Sequence, residues 1–207
     1  MAYLQLLQIR VTRPFFSTLL LPSSLAGSLL ASDFDSQVLS EMNLARTRPG
    51  AYAEIVAERG PVIGNSSGAI TEAIRFLENQ KPGRALTTSP GLTQAALSHV
   101  LDCGTRGIKG HVGSDGSHVN RRANRFGQWE GRIAENISYG QLSARDTVVL
   151  LLIDEGVRDR GHRQNIFQRD FRLVGVASGA HATFGLMVVT DFAATYRERL
   201  GPSVAAR

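Results

Sequence analysis

The chain has 207 residues, 43% hydrophobic and 20% charged, a balance that excludes wholesale disorder, collagen-like repeats and low-complexity structure. Its single cysteine, Cys103, excludes a disulfide framework and a cysteine-based structural zinc site. The net charge of +5 falls to +3 once Arg10 and Arg13 of the first 31 residues are set aside, and no basic run exceeds Arg121-Arg122, which excludes a dedicated nucleic-acid partner.

Residues 1–31 read as an N-terminal export signal, the alternative being a leader that stays attached. Arg10 and Arg13 flank the start of an apolar stretch, Pro14 to Leu21, that continues through Leu25 to Ala31. Ser24 and Ala26 supply the small-x-small pattern of a cleavage site. Pro22, Ser23 and Ser24 interrupt the run, which falls short of the ~20 residues of a membrane span. The polar restart at Ser32-Asp33 marks the expected boundary, followed by one domain over 32–207 with no stable membrane span.

Past that boundary, Val38, Met42 and Ala45 recur at helical spacing and predict a helix over 36–46 that Pro49-Gly50 stops. Ile70, Ile74 and Leu77 predict a second over 69–79, ended before Lys81-Pro82-Gly83. Ser89 as N-cap and Pro90 at the first helical position open a third, closed by Gly104. Its apolar face includes Cys103, read as a small buried hydrophobe. A glycine-rich stretch from Gly104 to Ser117 leads to a short basic helix over 118–126. Ser143-x-x-Asp146 forms a capping box ahead of the apolar run Val148 to Ile153, a buried helix. Leu173–Ala177 and Phe184–Thr190 then flank a turn at Ser178-Gly179-Ala180-His181 and predict an antiparallel hairpin. The class is α+β, with helices packed on a largely antiparallel sheet.

Phosphate-binding glycine loops, an HExxH zinc helix, a GxSxG elbow and an EF-hand loop are all missing. The chemistry-bearing residues that remain are dispersed. His111 sits between small residues in Lys109-Gly110-His111-Val112-Gly113, where a loop can present it to a cleft. Glu135 lies in the mostly apolar Ala134–Gly140 segment, where a carboxylate needs a partner or a function. Glu155 continues the spacing of Val148, Leu151 and Leu152, which turns it inward and leaves Asp154 offset by one. His162 stands in Arg160-Gly161-His162-Arg163, among arginines expected to pair with the acids at 154, 155 and 159. Two imidazoles and two carboxylates on one point suit a divalent cation such as Zn2+, held through neutral histidine nitrogens, or an acid/base pair. Spacing alone does not bring them together. His99, His118 and His181 read as a packed helix residue, a helix start and a turn residue, and Trp129 as a packing anchor.

The order of GHVGSDGS (110–117), AENISYG (134–140), LLIDEGV (151–157), RGHRQNIF (160–167) and the closing VGVASG…FGLMVVTDF resembles the CAP (SCP-like) superfamily of cysteine-rich secretory, antigen 5 and group-one pathogenesis-related proteins. The similarity covers about Val38 to Phe192. It implies a three-layer α-β-α sandwich with a mainly antiparallel central sheet. It also implies a cleft lined by His111, Glu135, Glu155 and His162, with His111 and His162 as metal ligands. Ala134 stands where the family has glycine before the glutamate, and Leu152 stands at an aromatic position; Asp154 is therefore the alternative second acid.

Two functions follow from the resemblance. One is a secreted, periplasmic or extracellular binding module whose cleft holds a divalent cation and an extracellular small molecule, lipid, sterol, glycan or peptide. The other is a metal-dependent hydrolase or peptidase using the same cleft, with Glu135 or Glu155 as the catalytic base.

Overall fold

In a computed structural model, which describes residues 33–140 and 143–199, Pro49 begins a helix as well as ending one. Helix α1 runs over Asp33–Thr47 and α2 over Pro49–Val62, with only Arg48 between them. At the first helical position Pro49 has no N–H to lose and its fixed φ suits the helix, so the expected stop is also a start. Helix α3 (Ser67–Glu78) is capped by the Ser66 hydroxyl on the Ala69 amide. A two-residue strand β1 (Thr87–Thr88) precedes α4 (Pro90–Gly104), whose predicted cap, Ser89, accepts from the Leu92 amide at 3.2 Å.

Helix α5 (Val119–Phe126) passes directly into a long strand β2 (Gly127–Tyr139). The strand was not expected. Gly131 adopts a positive φ at a bulge between Glu130 and Ile133, and the bulge breaks the alternation by which a strand is read. Helix α6 (Ala144–Ile153) starts at the predicted Ser143 cap, and a seven-residue α7 (Gly161–Phe167) follows. Strands β3 (Leu173–His181) and β4 (Gly185–Glu198) make the predicted hairpin with longer arms. The turn falls at 182–184, not 178–181, so His181 is a buried strand end rather than a turn residue. The expected export signal lies outside the described residues.

The sheet order is β1-β3-β4-β2, with β1 parallel to β3 and the other pairings antiparallel, so the sheet is mixed. Strand alternation divides the core. Val174, Val176, Val188 and Phe192 face a cluster built with α1, α2, α3 and α6. Ala177, Met187, Val189 and Ala193 face α4 and α5. Burying one aliphatic or aromatic side chain of this kind contributes about 1.5–3 kcal/mol. Helix α4 lies so close to β3 that a Cβ at Gly175 would run into the Leu92–Thr93 backbone. The fold is an α-β-α sandwich, and β2 is an edge strand contacted by α5 from one helical layer and by α6 and α7 from the other.

Candidate functional site

Two consecutive residues of β2 reach the two histidines. Side chains alternate across a strand, and Ile137, two residues from Glu135, packs on the α4 side. Glu135 therefore points into the α4/α5 layer, where its Oε1 meets His111 Nδ1 at 2.8 Å. Asn136 points to the other face, where its amide donates to the His162 carbonyl at 3.0 Å and accepts from Asn165 at 2.9 Å. The rings of His111 and His162 thus stand 6.4 Å apart, centre to centre.

The backbone before His111 is clamped on both sides of Gly110. His99 Nε2–H donates to the Gly110 carbonyl at 2.9 Å, and the Gly110 amide donates to the Tyr139 hydroxyl at 2.9 Å. His99 is fully buried, and burial lowers its pKa; it is a neutral positioning group.

Behind Glu135 lies a buried guanidinium. Arg122 of α5 binds the other Glu135 oxygen, and it donates to the Ser117 carbonyl at 2.7 Å and the His111 carbonyl at 3.1 Å. The Arg122 and Glu135 side chains are 1% and 2% exposed. Burial acts to raise the Glu135 pKa, but the His111 hydrogen bond and the Arg122 charge outweigh it and hold the carboxyl below its ordinary value. Across the sheet, Asp191 faces Glu135 in the β2–β4 register and is wholly buried. Neither of its oxygens has a partner of ordinary hydrogen-bond geometry among the described residues. Burial, then the Glu135 charge, push its carboxyl well above the usual range and favour its protonated form.

The second imidazole is held by Asp154. Helix α6 ends at Ile153, and Asp154 is its C-cap in the left-handed region (φ 54°), a conformation Asp tolerates better than most residues. There it turns inward: Oδ1 meets His162 Nδ1 at 2.7 Å, and Oδ2 accepts the His162 amide at 2.9 Å. This reverses the expected orientation, because helical spacing no longer applies beyond Ile153. Glu155 is exposed at the cleft margin, where it accepts the Ser66 amide at 3.0 Å. The arginines around His162 also find a different acid: Arg160 and Arg163 both bind Glu72 of α3.

Both Nδ1 atoms therefore meet carboxylates, and neither Nε2 has a partner among the described residues. A carboxylate on Nδ1 fixes the ring and leaves Nε2 as the lone-pair donor, the arrangement of histidines that bind metals. The two imidazoles would offer a divalent ion two nitrogen donors, one fewer than the three protein ligands usual in an open zinc site. Among the described residues no cage of three or more His, Cys, Asp or Glu ligands is formed, because the carboxylates are engaged behind the rings. The cleft has a volume of about 440 Å³ and continues from the histidines along Ile137, Leu150, Val157, Tyr139 and Phe184. Lys109 lies over the Tyr139 and Phe184 rings, 5.9 and 5.4 Å from their centres.

Sequence reading placed His111, Glu135 and His162 here and missed Arg122 and Asp191. Arg122 is one of several arginines in a basic helix, and only its position beside Ala123 on the buried face distinguishes it. Asp191 interrupts the apolar face of β4 formed by Met187, Val189 and Ala193, a signal that strand alternation alone could have flagged.

The structure defines the class: an α-β-α sandwich with two histidine–carboxylate pairs gathered beside its edge strand. The chain belongs to the cysteine-rich secretory protein (CAP) family, whose family model matches residues 39–192. Among solved structures it is similar to an outer surface protein from Borrelia burgdorferi, with 15% identity and a TM-score of 0.45, over 55% of this chain and 78% of that one. It is also similar to an extracellular protein containing a SCP domain from Bacillus anthracis, with 19% identity and a TM-score of 0.44, over 61% of this chain and 40% of that one. The CAP domain of enterococcal PrgA matches at 17% identity and a TM-score of 0.37, over 59% of this chain and 56% of that one. The chain thus spans less than two thirds of the length of the second and third. No curated protein matches it.

Proposed function

We propose that the protein is a secreted binding module whose cleft holds a divalent cation, Zn2+ in the first instance, between His111 and His162. An extracellular ligand lies along the adjoining apolar wall. The observation that carries this reading is the pair of imidazoles, each with Nδ1 on a carboxylate and Nε2 unpartnered, at the head of one cavity. The wall of Ile137, Leu150, Tyr139 and Phe184, with Lys109 beside it, suits an amphiphile such as a lipid or sterol, or an apolar peptide segment. Among the described residues no helix is long and apolar enough to cross a membrane.

The hydrolase reading asks for a carboxylate free to take a proton from water. Both Glu135 oxygens are occupied by His111 and Arg122, and Glu155 is turned to the Ser66 amide. That favours binding over turnover. Calorimetric titration of Zn2+ into metal-stripped protein tests the proposal. The parent binds, and His111→Ala combined with His162→Ala loses at least about tenfold in affinity. Equal affinity in parent and double variant refutes the shared cation site.

A further inference from the structure

At the sheet edge opposite the cleft, the segment before β1 and the turn before β3 run side by side and enclose a second cavity of about 420 Å³. Its lining carries Arg46, Lys81, Arg84, Arg169 and Arg172, together with the Phe167 ring, and no aspartate or glutamate. Outside this cavity nine of the fourteen described arginines pair with an acid, among them Arg59 with Asp146, Arg122 with Glu135, Arg145 with Glu41, and Arg160 and Arg163 with Glu72. None of the five cations here forms an ion pair among the described residues.

The cavity is also built rather than incidental. Arg46 is 3% exposed and its guanidinium ties the two rims together. Nε donates to the Arg84 carbonyl at 2.8 Å, one terminal nitrogen donates to the carbonyls of Ile166 and Gln168, and the other donates to that of Phe171. Its neighbours Arg84, Arg169 and Arg172 are exposed. Burial, and then the like charge of Arg172, lower Arg46 to about 10, so it remains a cation at neutral pH.

Like charges gathered around one cavity repel, and no described residue that lines it supplies a counter-charge. A single carboxylate would leave most of the repulsion standing. Phosphate groups bring about −1.5 to −2 charges each and match the guanidinium fork bidentately, and the volume lies within the ordinary range of small-ligand sites, about 300–1,000 Å³. We propose that this cavity is a second binding site, independent of the histidine cleft, for a ligand presenting clustered phosphate groups, either free in solution or on a lipid headgroup.

Inorganic tripolyphosphate titrated into the full chain at about 0.1 M salt is the direct probe. Binding is expected in the parent, with affinity falling on the order of tenfold or more when Arg84→Gln and Arg169→Gln are combined. The control pair Arg121→Gln and Arg158→Gln removes the same charge from exposed positions outside the cavity and is expected to change affinity less than about twofold. Thermal unfolding verifies that all variants fold. Phosphatidylcholine vesicles with and without phosphatidylinositol bisphosphate form the second arm. Capture only by the phosphoinositide vesicles, lost with Arg84 and Arg169, assigns the headgroup; tripolyphosphate binding without vesicle capture assigns a soluble ligand. Failure of both probes to bind, or equal losses in the two variant pairs, overturns the proposal.

Discussion

The two imidazoles of the cleft make nearly the same contact, Nδ1 to carboxylate at 2.8 and 2.7 Å, by opposite means. On the His111 side the carboxylate belongs to a strand, is backed by a buried arginine from another element, and faces a second buried acid on the next strand. On the His162 side the carboxylate closes a helix, and its second oxygen takes an amide eight residues downstream. One pair rests on a tertiary charge network and the other on local backbone geometry. A network fails as a unit when one charge is removed, whereas a cap loses only its own hydrogen bonds and conformation.

The largest effect that would sharpen this contrast is expected at Arg122. Arg122→Met keeps much of the volume but strands Glu135 beside Asp191. Urea unfolding should show a loss of about 3–5 kcal/mol, and a loss under about 1 kcal/mol would mean that Glu135 does not depend on its arginine. Asp154→Ala should cost less, about 2–3 kcal/mol, from the left-handed backbone and the lost charge-assisted bonds. Its zinc affinity should fall about 10–100-fold, as for other outer-shell carboxylates. If Asp154→Ala destabilises as much as Arg122→Met, the distinction between network and cap is wrong.

A smaller effect is expected at Asp191, and it depends on pH. The folded state keeps the Asp191 proton where the unfolded chain has released it, so folding binds a proton above about pH 4 and stability falls as pH rises from there. Glu135 has the reverse sign: its contribution is complete above the ordinary glutamate range and is lost as pH falls through its lowered value. Asp191→Asn should therefore match the parent near pH 4 and exceed it by on the order of 1–2 kcal/mol at pH 7, as read from denaturant midpoints across pH. Parallel pH curves for parent and variant would show that Asp191 is ionised in the fold. The smallest effect is expected at Glu155. Glu155→Gln should leave zinc affinity unchanged within about twofold, and a tenfold loss would bring Glu155 into the cation site.

Much of the architecture was readable in advance because its signals are local. Ser89-Pro90 and Ser143-x-x-Asp146 announce helix starts through hydroxyls on free amides, and Val38, Met42 and Ala45 mark a buried stripe. The misses share a physical cause, namely local chemistry that reads two ways. Pro49 ends one helix and starts another, the bulge near Gly131 hides β2, and α7 is too short and polar to show a period. In the cleft, His111, Glu135 and His162 were identifiable one by one, but the choice between Asp154 and Glu155 turned on where α6 stops.

What the amino-acid order determined alone is most of the inventory: five of the seven helices, the strands that pair at the end of the chain, and the histidines and acids that stand free of apolar periodicity. The tertiary structure decided the partnerships. It placed Arg122 behind Glu135, set Asp191 opposite, and gathered cations from residue 46 to residue 172 around one cavity. Helix caps and turns are written within a few residues of one another. Charge pairing between distant segments is settled only when packing removes water and leaves each buried ion with the neighbours the fold provides.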